Sequence, residues 1–502
     1  MVTVLILLAA AGILVWGFVR ARPDGKLGIF AWLQSVVLMV PWLIFFGLVP
    51  FGIYLNLAWV LTLVLVSTGL YIYLGRQLRA LAAAAPPRPT VSELSPEPSV
   101  DEVSAEPAND LANGGEPVAA AAADPPDVAA PPPVIPAEDL AEIETIFGVD
   151  TFFRVETISY QAGVFFKGNL RGEPEASIQT MTAQLEERFG DRYRLFLITG
   201  PDDRPAVIVL PSTSDPKPAN LPRRILAGAL AIATLVTSLE TGALLRDFTL
   251  FQQPGRWPEA LPTALAIIAI LAAHELGHRW QARQHQIKLS PPFALPAWQI
   301  GSFGTLTQFE SLLPNRSVLF DVAFAGPAVG GLLSLAMLLV GLVLSHPGSL
   351  YQLPVEFFQE SILVGTLARA VLGPGLQTMD LVDVDPLVLM GWLGLVITAL
   401  NVMPAGRLDG GRLIQAVYGR KITGRTTVVT LVILTVVALG NPLALYWAAL
   451  ILFLQRGEER PCIDDISEPD DARAALTLLI LFLMLATLLP LTPSLAGRLG
   501  IG

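Results

Sequence analysis

Residues 2–19, VTVLILLAAAGILVWGFV, make a membrane-length run without a charge, and comparable runs recur along the chain. This recurrence constrains the fold most. Backbone N–H and C=O groups in hydrocarbon must be paired within their own segment, so each run is expected to be a helix. The composition agrees: 53% of residues are hydrophobic and only 15% are charged, whereas a soluble protein carries about a quarter. The expected fold class is a polytopic α-helical membrane protein of about 8–10 spans, with a small cytoplasmic-side α/β domain and a short membrane-associated β segment.

Residues 1–83 form an N-terminal membrane region with spans at 2–19, 29–49 and 53–75. The first lacks the basic n-region and cleavage site of a signal peptide, and it is not Arg- and Ser-rich like a transit peptide, so it reads as a retained span. Residues 84–137 are rich in Pro, Ala and acidic side chains and hold Arg88 as their only basic residue. Such a segment cannot bury enough apolar surface to offset chain entropy, and it reads as a disordered acidic linker. Residues 138–220 alternate strand-like stretches (TFFRVETISY, GVFFKG, YRLFLITG, AVIVLP) with helical ones (AEDLAEIETIFG, EASIQTMTAQLEERFG), as expected of a small α/β domain. A glycine-containing stretch, GNLRGE (168–173), sits where a turn is needed.

Residues 221–502 form a second membrane block, with spans near 224–245, 261–282, 318–345, 386–403 and 473–490. The stretch 426–455 is broken by GNP (440–442), which allows one broken helix or a hairpin. Arg20, Arg22, Lys26, Arg76, Arg79, Arg223, Arg224, Arg279, Arg283 and Lys288 all fall on one side if spans alternate, and the positive-inside rule makes that side cytoplasmic. Arg456 and Arg460 join them only if 426–455 is a hairpin, which favours ten crossings.

The fifth span ends in LAAHELGHRW (271–280). His274 and His278 are four apart, so on a helix they share one face and can converge on one ion. Neutral imidazole suits zinc. Glu275 lies beside them, placed to act as a general base without being a ligand. Ionisable groups at the end of a membrane helix are costly and usually functional. A catalytic zinc usually has three protein ligands and one open position. The chain has one cysteine, Cys462, and four histidines, so no cysteine cluster completes the set. His285 lies in the polar loop after the helix, where an exposed surface histidine is expected, and His346 falls on the opposite membrane side. Asp409, in NVMPAGRLDGGRLIQAVYG (401–419), falls on the correct side, and Gly410 and Gly411 would let backbones approach closely. Taken alone, Asp409 could equally be a helix N-cap.

HELGH followed far downstream by NVMPAGRLDGG resembles the site-2 proteases, intramembrane zinc metalloproteases. The resemblance implies one zinc per chain held by His274, His278 and Asp409, with Glu275 as catalytic base. It also implies that Asn401 positions substrate or the developing oxyanion. GSFGTLTQF and AGPAVGG (325–331) resemble that family's membrane-associated strand and its small-residue helix-packing segment. GNLRGE, FQESILVGTLARAVLG and ERPCIDDISE are similar to a plant and cyanobacterial subgroup named for ethylene-dependent gravitropism deficiency and yellow-green leaves. Some members of that subgroup lack HExxH; this chain keeps every motif residue. The resemblance covers about 138–502 and implies hydrolysis of peptide bonds in or near transmembrane segments of membrane-protein substrates. Its partners would be such a substrate, the lipid bilayer and a regulatory partner of the 138–220 domain. It also suggests a bacterial plasma or thylakoid membrane, with the site near the cytoplasmic face.

Two other classes compete. A catalytically inactive membrane scaffold or chaperone with the same fold would not need Glu275. A transporter would be expected to show internal repeats and mid-membrane charges, and neither is evident. The acidic balance of −11 with no basic patch excludes a nucleic-acid binder.

Overall fold

The computed structural model describes residues 135–160, 163–200, 203–298, 300–373, 376, 380–454 and 460–491, with 25–48 and scattered positions between 14 and 78. The chain divides into an N-terminal unit, Met1–Pro125, and a larger unit, Pro126–Gly502. In the first, helix α1 (Gly25–Leu48) covers the expected second span. Most of the first and third expected spans, and nearly all of the acidic linker, lie outside the described residues.

The larger unit begins with α2 (Ala137–Glu144), β1 (Phe152–Tyr160), β2 (Gly163–Leu170), α3 (Pro174–Phe189), β3 (Tyr193–Thr199) and β4 (Pro205–Pro211). The strands form an antiparallel sheet in the order β1-β2-β4-β3. Phe152, Phe166, Leu197 and Val207 from the sheet meet Met181 and Leu185 of α3 in one buried core. Every strand expected between 152 and 211 is present. GNLRGE is the exit from β2: Arg171 N donates to Thr151 O, and a Cβ on Gly168 would sit 2.3 Å from Phe153 O. Close packing therefore accounts for its first glycine.

The membrane block comprises α4 (Leu221–Leu244), α5 (Trp257–Gln284), β5 (Phe293–Ala297), β6 (Gly301–Leu306), α6 (Arg316–Leu344), the pair β7 (Tyr351–Pro354) and β8 (Leu381–Val384), α7 (Ile362–Leu372), α8 (Pro386–Asn401), α9 (Asp409–Tyr418), α10 (Arg420–Val437), α11 (Pro442–Leu454) and α12 (Asp471–Leu488). Among the described residues, α4, α5, α6 and α12 are long and apolar enough to cross a membrane; α7, α8 and part of α11 are shorter apolar helices. The described residues are thus mostly helical, with four such helices among them. The stretch 426–455 is two helices, α10 and α11, separated at 438–441 and packed on each other.

Local chemistry sets the helix starts. Asn220, Asn315, Asp385 and Asp470 each accept a hydrogen bond from a first-turn N–H of α4, α6, α8 and α12. Small residues set the helix separations: a Cβ on Gly277 of α5 would sit 2.4 Å from Ala325 O of α6, and one on Gly391 of α8 would sit 2.3 Å from Leu338 N of α6. β5 and β6 pair antiparallel as a hairpin, and β6 falls within GSFGTLTQF, the stretch expected as a membrane-associated strand. Its turn is anchored by Trp298 stacked on Phe251, ring centroids 5.3 Å apart, and by Thr237 Oγ1 donating to Gly301 O across 2.6 Å.

One segment ties the two parts of the larger unit together. Residues 462–465 lie between the outer edge of β3 and residues 313–315. Leu197 N donates to Ile463 O and Asp465 N to Leu197 O; on the other side Ile463 N donates to Leu313 O and Asp464 N to Pro314 O.

Candidate metal centre

α5 places His274, Glu275 and His278 at its buried end, and α9 opens with Asp409. His274 Nε2 lies 3.1 Å from Asp409 Oδ2, His278 Nε2 lies 3.4 Å from the same oxygen, and the two ring nitrogens are 3.0 Å apart. All three side chains are buried and can offer ligand atoms to one ion. Asp409 does not act as an N-cap: Leu408 holds that position, and the carboxylate faces the histidines.

The donor set fits a metal ion. His278 Nδ1 lies 2.7 Å from Val322 O, a carbonyl that only accepts, which assigns the ring proton to Nδ1. The Nε2 lone pair is then left for the point where the three groups converge. Gly326 provides the space, since a Cβ there would lie 2.1 Å from His278 Nε2. Gly410 and Gly411 let α9 fold back on the preceding turn: Cβ atoms there would lie 1.8 Å from Val402 O and 2.2 Å from Gly406 O.

Glu275 is held on both oxygens. Thr307 Oγ1 donates to Oε2 across 2.8 Å. Arg279 Nε lies 2.6 Å from Oε1, an ion pair whose N–H direction is not aligned for a hydrogen bond. Arg412 joins the two halves of the site: its Nη2 donates to Thr307 O across 2.7 Å, and its Nη1 lies 3.7 Å from Asp409 Oδ1.

Asn401 is brought to β6. Its Nδ2 donates to Phe303 O across 3.1 Å, tying β6 to α8, and to Ile397 O across 2.8 Å, one turn back within α8. His285 and His346 stand apart from the cluster. His285 Nε2 lies 3.4 Å from Asp321 Oδ2, beside Arg473, and His346 is in the turn after α6, next to Pro347 O.

Thr307, Arg279 and Arg412 escaped the sequence reading as site residues. Two of them carried a signal: Arg279 follows Glu275 by four residues and Arg412 follows Asp409 by three, the spacings at which helical charges meet. Thr307 carried none, because its contact spans a long stretch of chain.

Two family models match the chain: peptidase family M50 over residues 262–440 and the EGY3 middle domain over residues 141–218. Among similar proteins, the probable zinc metalloprotease EGY2, chloroplastic, of Arabidopsis thaliana is 40% identical over 351 residues, covering 69% of this chain and 63% of the relative. The probable zinc metalloprotease EGY1, chloroplastic, of the same plant is 36% identical over 395 residues, covering 72% of each. The probable zinc metalloprotease EGY3, chloroplastic, of Oryza sativa subsp. japonica is 31% identical over 379 residues, covering 70% of this chain and 64% of the relative. The chain thus spans less than two thirds of EGY2's length. No solved structure matches.

These relatives correct one expectation. The reading of a bacterial plasma or thylakoid membrane does not stand, because the relatives are chloroplastic proteins of plants. Charge bias orients helices in a bilayer and carries no information about whose bilayer it is.

Proposed function

We propose that this chain, which belongs to peptidase family M50, is an intramembrane zinc metalloprotease that hydrolyses peptide bonds in or near the transmembrane helices of membrane-protein substrates. The observation that carries this is the convergence of His274 Nε2, His278 Nε2 and Asp409 Oδ2 next to a buried, doubly held Glu275.

His274, His278 and Asp409 would hold one zinc. Bound there, it would supply a lowered pKa for water and polarisation of a scissile carbonyl. Glu275 accepts the proton of the attacking water and returns it to the leaving amine. Thr307 and Arg279 keep its carboxylate oriented for both transfers. Asn401 contributes by locking β6 against α8, so that the strand presents a fixed edge. A helical peptide bond is shielded by its own hydrogen bonds, so the substrate must unwind locally, and β6 supplies backbone partners to the unwound stretch.

Charge bias supports a topology of about 8–10 crossings in which the metal centre and the 138–220 domain share the positively flanked side of the membrane. That domain is positioned to receive a regulatory partner. The test is zinc content per chain in detergent-purified protein, wild type against Asp409→Ala and His274→Ala, followed by cleavage assays with Glu275→Gln as control. Zinc that is lost in both variants and cleavage that is lost in Glu275→Gln are expected. A zinc-loaded protein that cleaves no transmembrane peptide would instead support the scaffold reading.

A further inference from the structure

The start of α6 touches both halves of the metal centre. Val322 O, in its second turn, accepts from His278 Nδ1 across 2.7 Å. Arg316, its first residue and only 5% exposed, reaches α9, the helix that opens with Asp409. Its Nε donates to Ala416 O and its Nη2 to Val417 O, each across 2.7 Å. A guanidinium there satisfies carbonyls that have no partner within the helix and meets the negative end of its dipole. α9 is ten residues long and buried from Asp409 to Ala416, so a hold on its last turn fixes its first.

Arg316 also holds the strap at 462–465. Its Nη1 donates to Ile466 O across 3.4 Å. Asp464 Oδ1 fixes that residue by accepting from Ile466 N and Ser467 N, each across 3.0 Å. The buried carboxylate of Asp465 supplies charge opposite to Arg316 and Arg420. Cys462, at the other end of the strap, packs with Leu413 and Ala416 of α9 in one buried cluster. Since Ile463 and Asp465 carry the hydrogen bonds to Leu197, the edge of β3, the strap, Arg316 and the helix of Asp409 form one connected train of contacts.

We propose that Arg316 is a positioning residue of the metal centre, and that through the strap it couples docking of the 138–220 domain to zinc affinity. This rests on the metal-binding part of the reading above. The coupling is reciprocal: the factor that the docked strap contributes to zinc affinity is the factor by which bound zinc favours the docked strap. A partner that draws β3 away from the strap would loosen Asp409 and weaken metal binding, without touching any ligand.

The test uses the full-length chain in detergent, with zinc affinity read by competition with a chromophoric chelator and backbone hydrogen exchange read with and without zinc. Arg316→Met and Asp464→Ala should each weaken zinc binding by about tenfold, the lower range for losing an outer partner of a metal site. Phe358→Ala, in the separate core with Val355 and Val384, should lose thermal stability but bind zinc like wild type. In the wild type, zinc should slow exchange at 195–199 and 463–466 by about the same tenfold, an effect that Arg316→Met should abolish. The wild-type exchange measurement needs no variant, so it decides even if Arg316→Met does not fold. Unchanged zinc affinity in Arg316→Met, an equal loss in Phe358→Ala, or wild-type exchange indifferent to zinc each overturns the proposal. A folded wild type that binds no zinc rejects the metal centre and the coupling together. Coupling without cleavage of any transmembrane peptide retains the proposal and rejects proteolysis.

Discussion

Thr307 Oγ1 donates a 2.8 Å hydrogen bond to Glu275 Oε2, joining the end of the β6 strand to the proposed general base. Because Arg412 also holds Thr307 O, a displacement of this strand end is transmitted to both Glu275 and Asp409.

Thr307→Val should therefore lower kcat by about 10- to 100-fold, the usual cost of removing an outer partner of a metal-site group. KM and zinc content should stay near wild type. Thr307→Ser, which keeps the hydroxyl, should restore most of the rate. Equal rates for the Val and Ser variants would show that the hydroxyl does not orient the base.

Gly326→Ala places a methyl group where only 2.1 Å separates it from His278 Nε2. Zinc per chain should fall well below one in this variant, while Gly331→Ala, whose Cβ would meet Thr398 at an ordinary 3.4 Å, should retain the metal. Metal analysis of the two purified proteins decides between a steric cradle and an indifferent glycine.

Asn401→Leu would leave the Phe303 carbonyl without its side-chain partner in a buried setting, at a cost of about 1–3 kcal/mol. Reduced thermal stability and faster hydrogen exchange at 301–306 should accompany it. If exchange there is unchanged, Asn401 is not what fixes the strand.

Tyr193 in β3 has its phenol pushed up to about 12, mainly by burial and then by its hydrogen bond to Asp139. A raised pKa means that stability from this group is complete below the unfolded value and is lost as pH rises through the folded one. An ultraviolet titration of tyrosinate should thus show a late-titrating phenol that is lost in Tyr193→Phe. A difference curve centred near the ordinary tyrosine value would contradict this.

Local signals in the sequence were enough to find the histidines and the glutamate, because a four-residue spacing maps directly onto one helix face. Asp409 was selected over the capping alternative by the missing third ligand beside HExxH and not by its own local pattern, since the approach of α9 to α5 is a tertiary event. The strands of the 138–220 domain were legible from alternation, and their order was not, because β2 pairs with β4 across the intervening α3 and β3. The strap at 462–465 was invisible for the same reason: CIDD has neither the periodicity nor the length of a strand, and its strand-like hydrogen bonds go to distant backbone. Span edges drifted by a few residues wherever a polar cap extended a helix beyond its apolar run, as at Asn220 and Asp470.

The strap also sets a timetable for biosynthesis. β3 emerges from the ribosome early, yet its outer edge waits for Ile463 and Asp465, about half the chain later. Until those residues arrive, an open strand edge faces whatever else is nascent nearby, which is the situation in which edge-to-edge association competes with folding. A chain stopped short of the strap keeps His274, His278 and Asp409 but leaves the outer edge of β3 and the 313–315 backbone without the partners that Ile463, Asp464 and Asp465 supply.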